Sequence, residues 1–275
     1  MPIKPTTVGA MLKWGRQKLS YSTTPDLDAR ILLAMVTRRS QQQLLQDADQ
    51  KLTDAQSRRF VNLIKKRQEG WPIAYLTGVK EFYGLEVKIT PAVLIPRPTT
   101  EAIVTVAIQL ALGTQAKTIY EIGTGSGAVA IALAKQLPEI KIVVSDVSNP
   151  ALAVARWNIR HYKLTNQIKT IRSHLGQHIK QPSLIVANLP YLPTSLEPRQ
   201  ELMFEPKLAL YADDNGLALY KELFNQTNFT AAVIELGANQ YQPMIEWLAN
   251  KFPRAKIDSV KDIDGTICGL QILAG

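Results

Sequence analysis

Two turns carry the residues best suited to chemistry. At the first, the apolar run Thr118–Ile122 leads straight into Gly123-Thr124-Gly125-Ser126-Gly127 and then into a helix-forming stretch, Ala128–Gln136. Glycines at such a bend let the backbone turn tightly and come close to a ligand, and the helix that follows offers unpaired N–H groups. The next apolar run ends at Asp146, 146 − 123 = 23 residues after the first glycine. A carboxylate there can accept hydrogen bonds from the two hydroxyls of a ribose. Loop, helix and acid together predict a site for an adenosine-type cofactor. The spacing Gly123-x-Gly125-x-x-Ala128 also satisfies the dinucleotide fingerprint, so a nicotinamide dehydrogenase competes with an S-adenosylmethionine enzyme at this point. A dehydrogenase would set a pyrophosphate on the helix N-terminus, a group S-adenosylmethionine lacks.

The second turn separates the two. The run Leu184–Ala187 ends in Asn188-Leu189-Pro190-Tyr191, which resembles the Asn-Pro-Pro-Tyr motif of methyltransferases that modify planar nitrogen groups. Glu121, two residues before the first glycine, likewise resembles the acid common at that position in such enzymes. An amide nitrogen is a poor nucleophile because its lone pair is delocalised into the carbonyl. The side-chain oxygen of Asn188 and a neighbouring backbone carbonyl could accept both N–H bonds, hold the nitrogen in line with a methyl group and stabilise the charge that develops. Tyr191 could pack against the planar group. Leucine at 189 keeps the backbone carbonyl, adds an N–H and frees φ relative to proline.

Such turns need strand ends brought side by side. Beyond about residue 99 apolar runs fall at Thr118–Ile122, Lys141–Ser145, Leu184–Ala187 and Ala231–Leu236, with a closing pair near Lys256–Val260 and Gly269–Leu273. Helical stretches separate them, so the prediction is an α/β domain with a mostly parallel sheet covered by helices on both faces, its ligands at the strand carboxyl ends. Residues 1–70 read instead as a helical bundle. Thr24 precedes Pro25 and a stripe of Leu27, Ile31, Leu32, Met35 and Val36; Thr53 to Gln56 has the capping-box pattern before Phe60, Val61 and Ile64; Val8, Met11, Leu12 and Leu19 suggest a third helix, and Gln41–Gln43 a helix start. Between them, residues 71–98 read as a linker with a β-hairpin around Gly84, in which Val87 and Ile89 alternate with Glu86 and Lys88.

With 46% hydrophobic residues in 275, the chain can bury a core and is not intrinsically disordered. No stretch approaches the roughly 20 apolar residues of a membrane span. Met1-Pro2-Ile3-Lys4-Pro5 lacks a signal-peptide core, and the single cysteine, Cys268, fits a reducing compartment, so a cytoplasmic protein is expected. Net charge is 32 − 23 = +9, of which residues 1–80 hold 14 − 6 = +8. That asymmetry points the N-terminal segment towards nucleic acid, the ribosome or an acidic protein surface, or marks a solvated basic face. His174 and His178, four apart, lack a third ligand, and no metal site is expected. Tyr75, Phe82 and Tyr83 read as core aromatics, while Arg97 and Glu101 suit either an ion pair or a pocket.

These motifs together resemble the HemK/PrmC family, the glutamine N(5)-methyltransferases of peptide chain release factors. The resemblance runs through Arg67-x-x-Gly70-x-Pro72-x-x-Tyr75-Leu76-x-Gly78, Glu81–Leu85, Ile95–Glu101, Glu121–Gly127, Asn188–Tyr191, Glu205-Pro206-x-x-Ala209-Leu210 and Glu235-Leu236-Gly237-x-x-Gln240. Thr99 replaces an acid, His174-Leu175 an Asp with an aromatic or Leu, Asp213-Asp214-Asn215-Gly216 a Gly-Gly-x-Asp-Gly pattern, and Cys268 an Arg.

The resemblance implies a class I S-adenosylmethionine-dependent methyltransferase domain, Rossmann-like, over residues 99–275, preceded by a helical domain that docks the release factor. It implies S-adenosylmethionine held by Glu121, Gly123, Thr124, Gly125, Ser126, Gly127, Asp146, Leu175 and Asn188. It further implies the glutamine of a Gly-Gly-Gln loop held by Asn188, Leu189, Pro190 and Tyr191, with Asn188, Pro190 and Tyr191 catalytic. Class 1 release factors are the expected partners of a monomer, with RNA or ribosome contact through the basic segment. An adenine-N6 nucleic-acid methyltransferase, a methyltransferase of a ribosomal-protein glutamine and a non-catalytic binding module remain the alternatives.

Overall fold

The computed structural model describes residues 7–180, 183–197 and 202–275. The N-terminal pentapeptide lies outside them. The chain forms two units, one reaching from its N-terminal helices to Gly78 and joined by the stretch ending at Phe204, the other holding the rest.

The first unit is helical: α1 (Val8–Lys18), α2 (Pro25–Thr37), α3 (Gln41–Gln46), α4 (Asp54–Gln68) and α5 (Ile73–Thr77). The expected capping box forms at Thr53 with Gln56, and a second forms at Ser40 with Gln43, ahead of the expected helix start, so the first turns of α3 and α4 are capped. Thr24 precedes α2 as expected, but its hydroxyl donates to Asp28 rather than capping the backbone. Val8, Met11, Leu19, Leu32, Leu33, Phe60 and Ile64 make the core. Asp28 is buried there and matched by Arg67 Nε at 2.8 Å and Ser22 Oγ at 2.8 Å. Arg67, the first residue of the Arg67-to-Gly78 motif, is thus an internal brace, and it also donates to the Trp71 carbonyl.

The second unit begins with a hairpin, β1 (Val79–Phe82) and β2 (Leu85–Lys88), whose two-residue turn has Tyr83 at φ 52° and Gly84 at φ 70°. Two positive φ values match the strand twist of a tight hairpin. Thereafter come α6 (Thr99–Gly113), β3 (Thr118–Ile122), α7 (Ala128–Gln136), β4 (Lys141–Asp146), α8 (Asn149–His161), β5 (Ile168–Arg172) and β6 (Ser183–Ala187). The short pair β7 (Leu192–Pro193) and β8 (Tyr211–Ala212) precedes α9 (Ala218–Gln226), β9 (Phe229–Glu235), α10 (Tyr241–Lys251), β10 (Lys256–Lys261) and β11 (Ile267–Leu273).

Seven strands form one sheet in the order β10-β11-β9-β6-β3-β4-β5. Ladders between β5, β4, β3, β6 and β9 are parallel; β11 inserts antiparallel between β9 and β10. The strand β5 is the element that the apolar runs did not signal. It lies at the sheet edge, and its Lys169, Thr170 and Arg172 interrupt the apolar pattern. The order reverses between β3 and β6, and it is outside this switch point that open α/β sheets bind ligands. Asn158 of α8, fully buried, donates to the carbonyls of Lys88 at 3.0 Å and Ser126 at 2.9 Å and accepts from Lys88 N at 2.9 Å. One amide therefore ties the hairpin to the glycine loop. On the other side, β11 pins the end of β9: Gly269 lies opposite Glu235, and Leu236 N donates to the Cys268 carbonyl at 3.0 Å.

Candidate active site

The glycine loop leaves β3 with Gly123, Gly125 and Gly127 all at positive φ, 75°, 53° and 81°, backbone that side chains resist. The amides of Gly123 and Thr124 both donate to the Ser145 carbonyl on β4, and Gly125 N donates to Asp146 Oδ2 at 2.9 Å. Ser148 N donates to the other oxygen, Oδ1, at 2.8 Å. Asp146 thus braces the loop it faces, with one N–H on each oxygen and a further lone pair on each to offer. Burial raises its pKa despite those bonds. Gly127 caps α7 and sits against Ala155 of α8.

Glu121, on β3 two residues before Gly123, is buried and accepts from Thr124 Oγ1 at 2.9 Å. Burial pushes its carboxyl up to about 8.

Asn188 follows β6, beside the end of β9, and its Nδ2 donates to Glu235 Oε2 at 2.9 Å and to Thr100 Oγ1 at 3.1 Å. Thr100 in turn donates to Glu235 Oε2 at 2.5 Å, and Thr99 to Oε1 at 3.3 Å. The amide's donors are consumed on the protein side, so Oδ1 is left as the group with which Asn188 can accept. Burial raises Glu235 to about 7, partly offset by Thr100 and Thr99. Tyr191 also bonds to this carboxylate, and its phenol is raised to about 12, by burial first and the Glu235 charge second.

A cavity of about 250 Å³ opens over these strand ends. Its lining brings together Glu121, Gly123 to Ser126, Asp146, Leu175, Asn188, Leu189 and Pro190 of the expected set. Gly127 and Tyr191 are outside the lining: the first is the helix cap, the second turns towards Glu235. Leu175, at φ 45°, does line the cavity, as does His174, whose Nε2 pairs with Glu222 at 2.9 Å. The two histidines do not share a helix face, since no helix forms there. Arg97 forms an ion pair with buried Glu205, whose other oxygen accepts from Ile95 N at 3.0 Å, while Glu101 accepts from Tyr83 N at 2.8 Å.

Four supporting residues escaped the sequence reading as site components: Thr100, Glu235, Tyr220 and Gln240. Glu235 had a signal, being an acid that ends an apolar run at the sheet's carboxyl edge. The Gln240 amide donates to the carbonyls of Tyr191 at 2.6 Å and Asn215 at 2.7 Å, fastening the Asn188–Tyr191 turn to the Asp213–Gly216 bend. At Gly216, φ 87°, a Cβ would fall 1.9 Å from the Tyr191 carbonyl, so the bend has room only for glycine.

Residues 10–78 match the PrmC N-terminal domain, and residues 102–200 the methyltransferase small domain. The release factor glutamine methyltransferase of Rhodopirellula baltica is 34% identical over 235 residues, spanning 81% of this chain and 79% of the relative. That of Escherichia coli is 37% identical over 221 residues, 78% and 79% respectively. Among solved structures, the N-terminal domain of human METTL16 superposes with a TM-score of 0.53 at 15% identity, over 80% of this chain and 81% of that one, a likeness of fold. The chain belongs to the release factor glutamine methyltransferase family.

Proposed function

We propose that the chain transfers a methyl group from S-adenosylmethionine to the side-chain amide nitrogen of the Gly-Gly-Gln glutamine in class 1 peptide chain release factors. The observation that carries this reading is the orientation of Asn188, whose NH₂ group is spent on Glu235 and Thr100 so that an acceptor remains for the N–H of a substrate amide.

The chain's own groups fit the cofactor. Asp146 keeps spare lone pairs on both oxygens for a ribose, Leu175 and Ala128 supply apolar wall for a base, and the positive-φ glycines keep side chains out of the cradle. Glu121, Gly123, Thr124, Ser126 and Gly127 complete that cradle, the last through the helix it caps. When bound, S-adenosylmethionine supplies an electrophilic methyl on a sulfonium.

Asn188 Oδ1 and the Leu189 carbonyl accept the two amide N–H bonds of the glutamine, fix its plane and favour the charge that grows on nitrogen as the new bond forms. Pro190 stiffens the turn. Tyr191 acts through its contact with Glu235 rather than as a cavity wall. No strong base is needed, because the amide proton becomes acidic only as the methyl arrives.

Residues 1–70 serve as the release-factor docking domain, 71–98 as the linker and 99–275 as the catalytic domain. The excess positive charge of the first 80 residues suits RNA or the ribosome beside the factor. In this reading the chain works as a monomer in the cytoplasm; among the described residues no helix is long and apolar enough to cross a membrane. The test is transfer of labelled methyl to a purified release factor, beside a variant whose Gly-Gly-Gln glutamine is replaced. Label on the first alone is expected. Equal label on both, or on nucleic acid instead, would overturn the assignment.

A further inference from the structure

Leu189 stands where the motif resembled by this turn has proline, and it brings an N–H into a buried place. That N–H is not orphaned: it donates to the Tyr220 hydroxyl at 2.9 Å. The same oxygen sits 3.5 Å from the Leu189 carbonyl and donates to the Glu235 carbonyl at 2.5 Å. Tyr220 is completely buried on α9, and burial raises its phenol well above the ordinary value, so the hydroxyl keeps its proton. The Leu189 side chain, also buried, lies over the glycine loop, its Cδ2 3.0 Å from where a Gly123 Cβ would be.

A hydroxyl accepts and donates at once. Here it accepts from the residue whose carbonyl would hold the substrate, and it donates to the backbone of the residue whose carboxylate holds Asn188. A proline ring would restrict φ at 189 covalently; leucine does not. We propose that Tyr220 is a positioning residue for methyl transfer, its hydroxyl restraining the Leu189 peptide in place of the missing ring. The inference rests on the amide-methylation reading above. It places Tyr220 behind the reacting atoms, with no contact to substrate, and predicts that its importance depends on what occupies position 189.

The experiment is a double-mutant cycle of Tyr220→Phe and Leu189→Pro, scored by kcat and KM for methyl transfer to the release factor, cofactor affinity and thermal unfolding. Tyr220→Phe in the native background is expected to lower kcat about tenfold or more with cofactor affinity changed less than about threefold. In the Leu189→Pro background, which has no N–H to satisfy, the same change should cost less than about threefold. Equal losses in both backgrounds, or an unchanged kcat in the first, would overturn the proposal. Where Tyr220→Phe folds poorly, the double variant decides: recovered folding and turnover support the coupling, and a double variant as poor as the single one refutes it. Wild-type protein that fails to methylate the factor would instead sink the functional reading, so the two failures are distinguishable.

Discussion

Asn188 and Glu235 form a directed pair: the amide donates to the carboxylate at 2.9 Å, and the direction of that bond decides which end of Asn188 remains to accept. A free asparagine can rotate its amide by half a turn and present a donor instead. Glu235, itself held by Thr99 and Thr100, penalises that rotation by setting two acceptors face to face. The chemistry of the turn is thus specified by a residue on the neighbouring strand.

Replacing Asn188 with alanine should cut kcat by about a hundredfold or more, the scale of losing a preorganised transition-state contact. Cofactor affinity should stay within about threefold, because the lost bond is on the acceptor side. Turnover by single-cycle label transfer and affinity by calorimetry check the pair of values; normal turnover would remove Asn188 from the reaction.

Glu235, raised to about 7 by burial, gives the reaction a pH signature. Its deprotonated form accepts from Thr99, Thr100 and Asn188; protonation turns one oxygen into a donor and loosens Asn188. The rate is expected to rise with pH through about 7 and then level off. Glu235→Gln should be slower and lack this limb, and a limb of the same position in that variant would assign it to another group.

Thr99 donates to Glu235 Oε1 at 3.3 Å, and an acid there would replace a donor with a like charge. Thr99→Asp should move the rising limb upward by about one pH unit, since a neighbouring negative charge disfavours ionisation. A profile that stays in place would mean that residue 99 is not coupled to Glu235.

Asp146→Ala should weaken cofactor binding by about ten- to a hundredfold, the scale of one or two hydrogen bonds to a charged group. Part of that loss comes from the loop, because Gly125 N loses its partner. Asp146→Ser, which can still accept from one N–H, should recover some affinity; equal affinity for native protein and the alanine variant would exclude Asp146 from the site.

Glu121 makes stability fall as pH rises. Its folded pKa, about 8, exceeds the ordinary 4.5, so between those values the folded state holds the extra proton. This contribution is complete below about 4.5 and is lost as pH passes about 8. Glu121→Gln should flatten that part of the curve of unfolding free energy against pH, measured without cofactor. A native-like slope in the variant would place the titration elsewhere.

Much of the fold could be read from the chain because its inner strands are apolar runs that end in turn residues, and because Thr53-x-x-Gln56 states its cap locally. The edge strand β5 could not, since Lys169, Thr170 and Arg172 give a strand open to water on one side no distinct signal. In the site, Gly123 to Gly127 and Asp146 declare themselves through spacing, and Asn188 through the resemblance of its turn to the Asn-Pro-Pro-Tyr motif. Thr100, Tyr220 and Gln240 do not: each is a common polar residue within or beside a helix, and its partner lies on another segment. Tyr191, the last residue of the motif, is held by Glu235 and lies outside the cavity lining, a placement that depends on a residue of another strand and so has no local signal.

The insertion of β11 between β9 and β10 has a consequence in time. Of the seven strands, the one that backs Glu235 is the last to be synthesised, and its Cys268 and Gly269 must arrive before the end of β9 has both neighbours. The glycine loop and Asp146 can take up their arrangement from residues made much earlier. A growing chain would therefore complete the support of its asparagine only with its last strand.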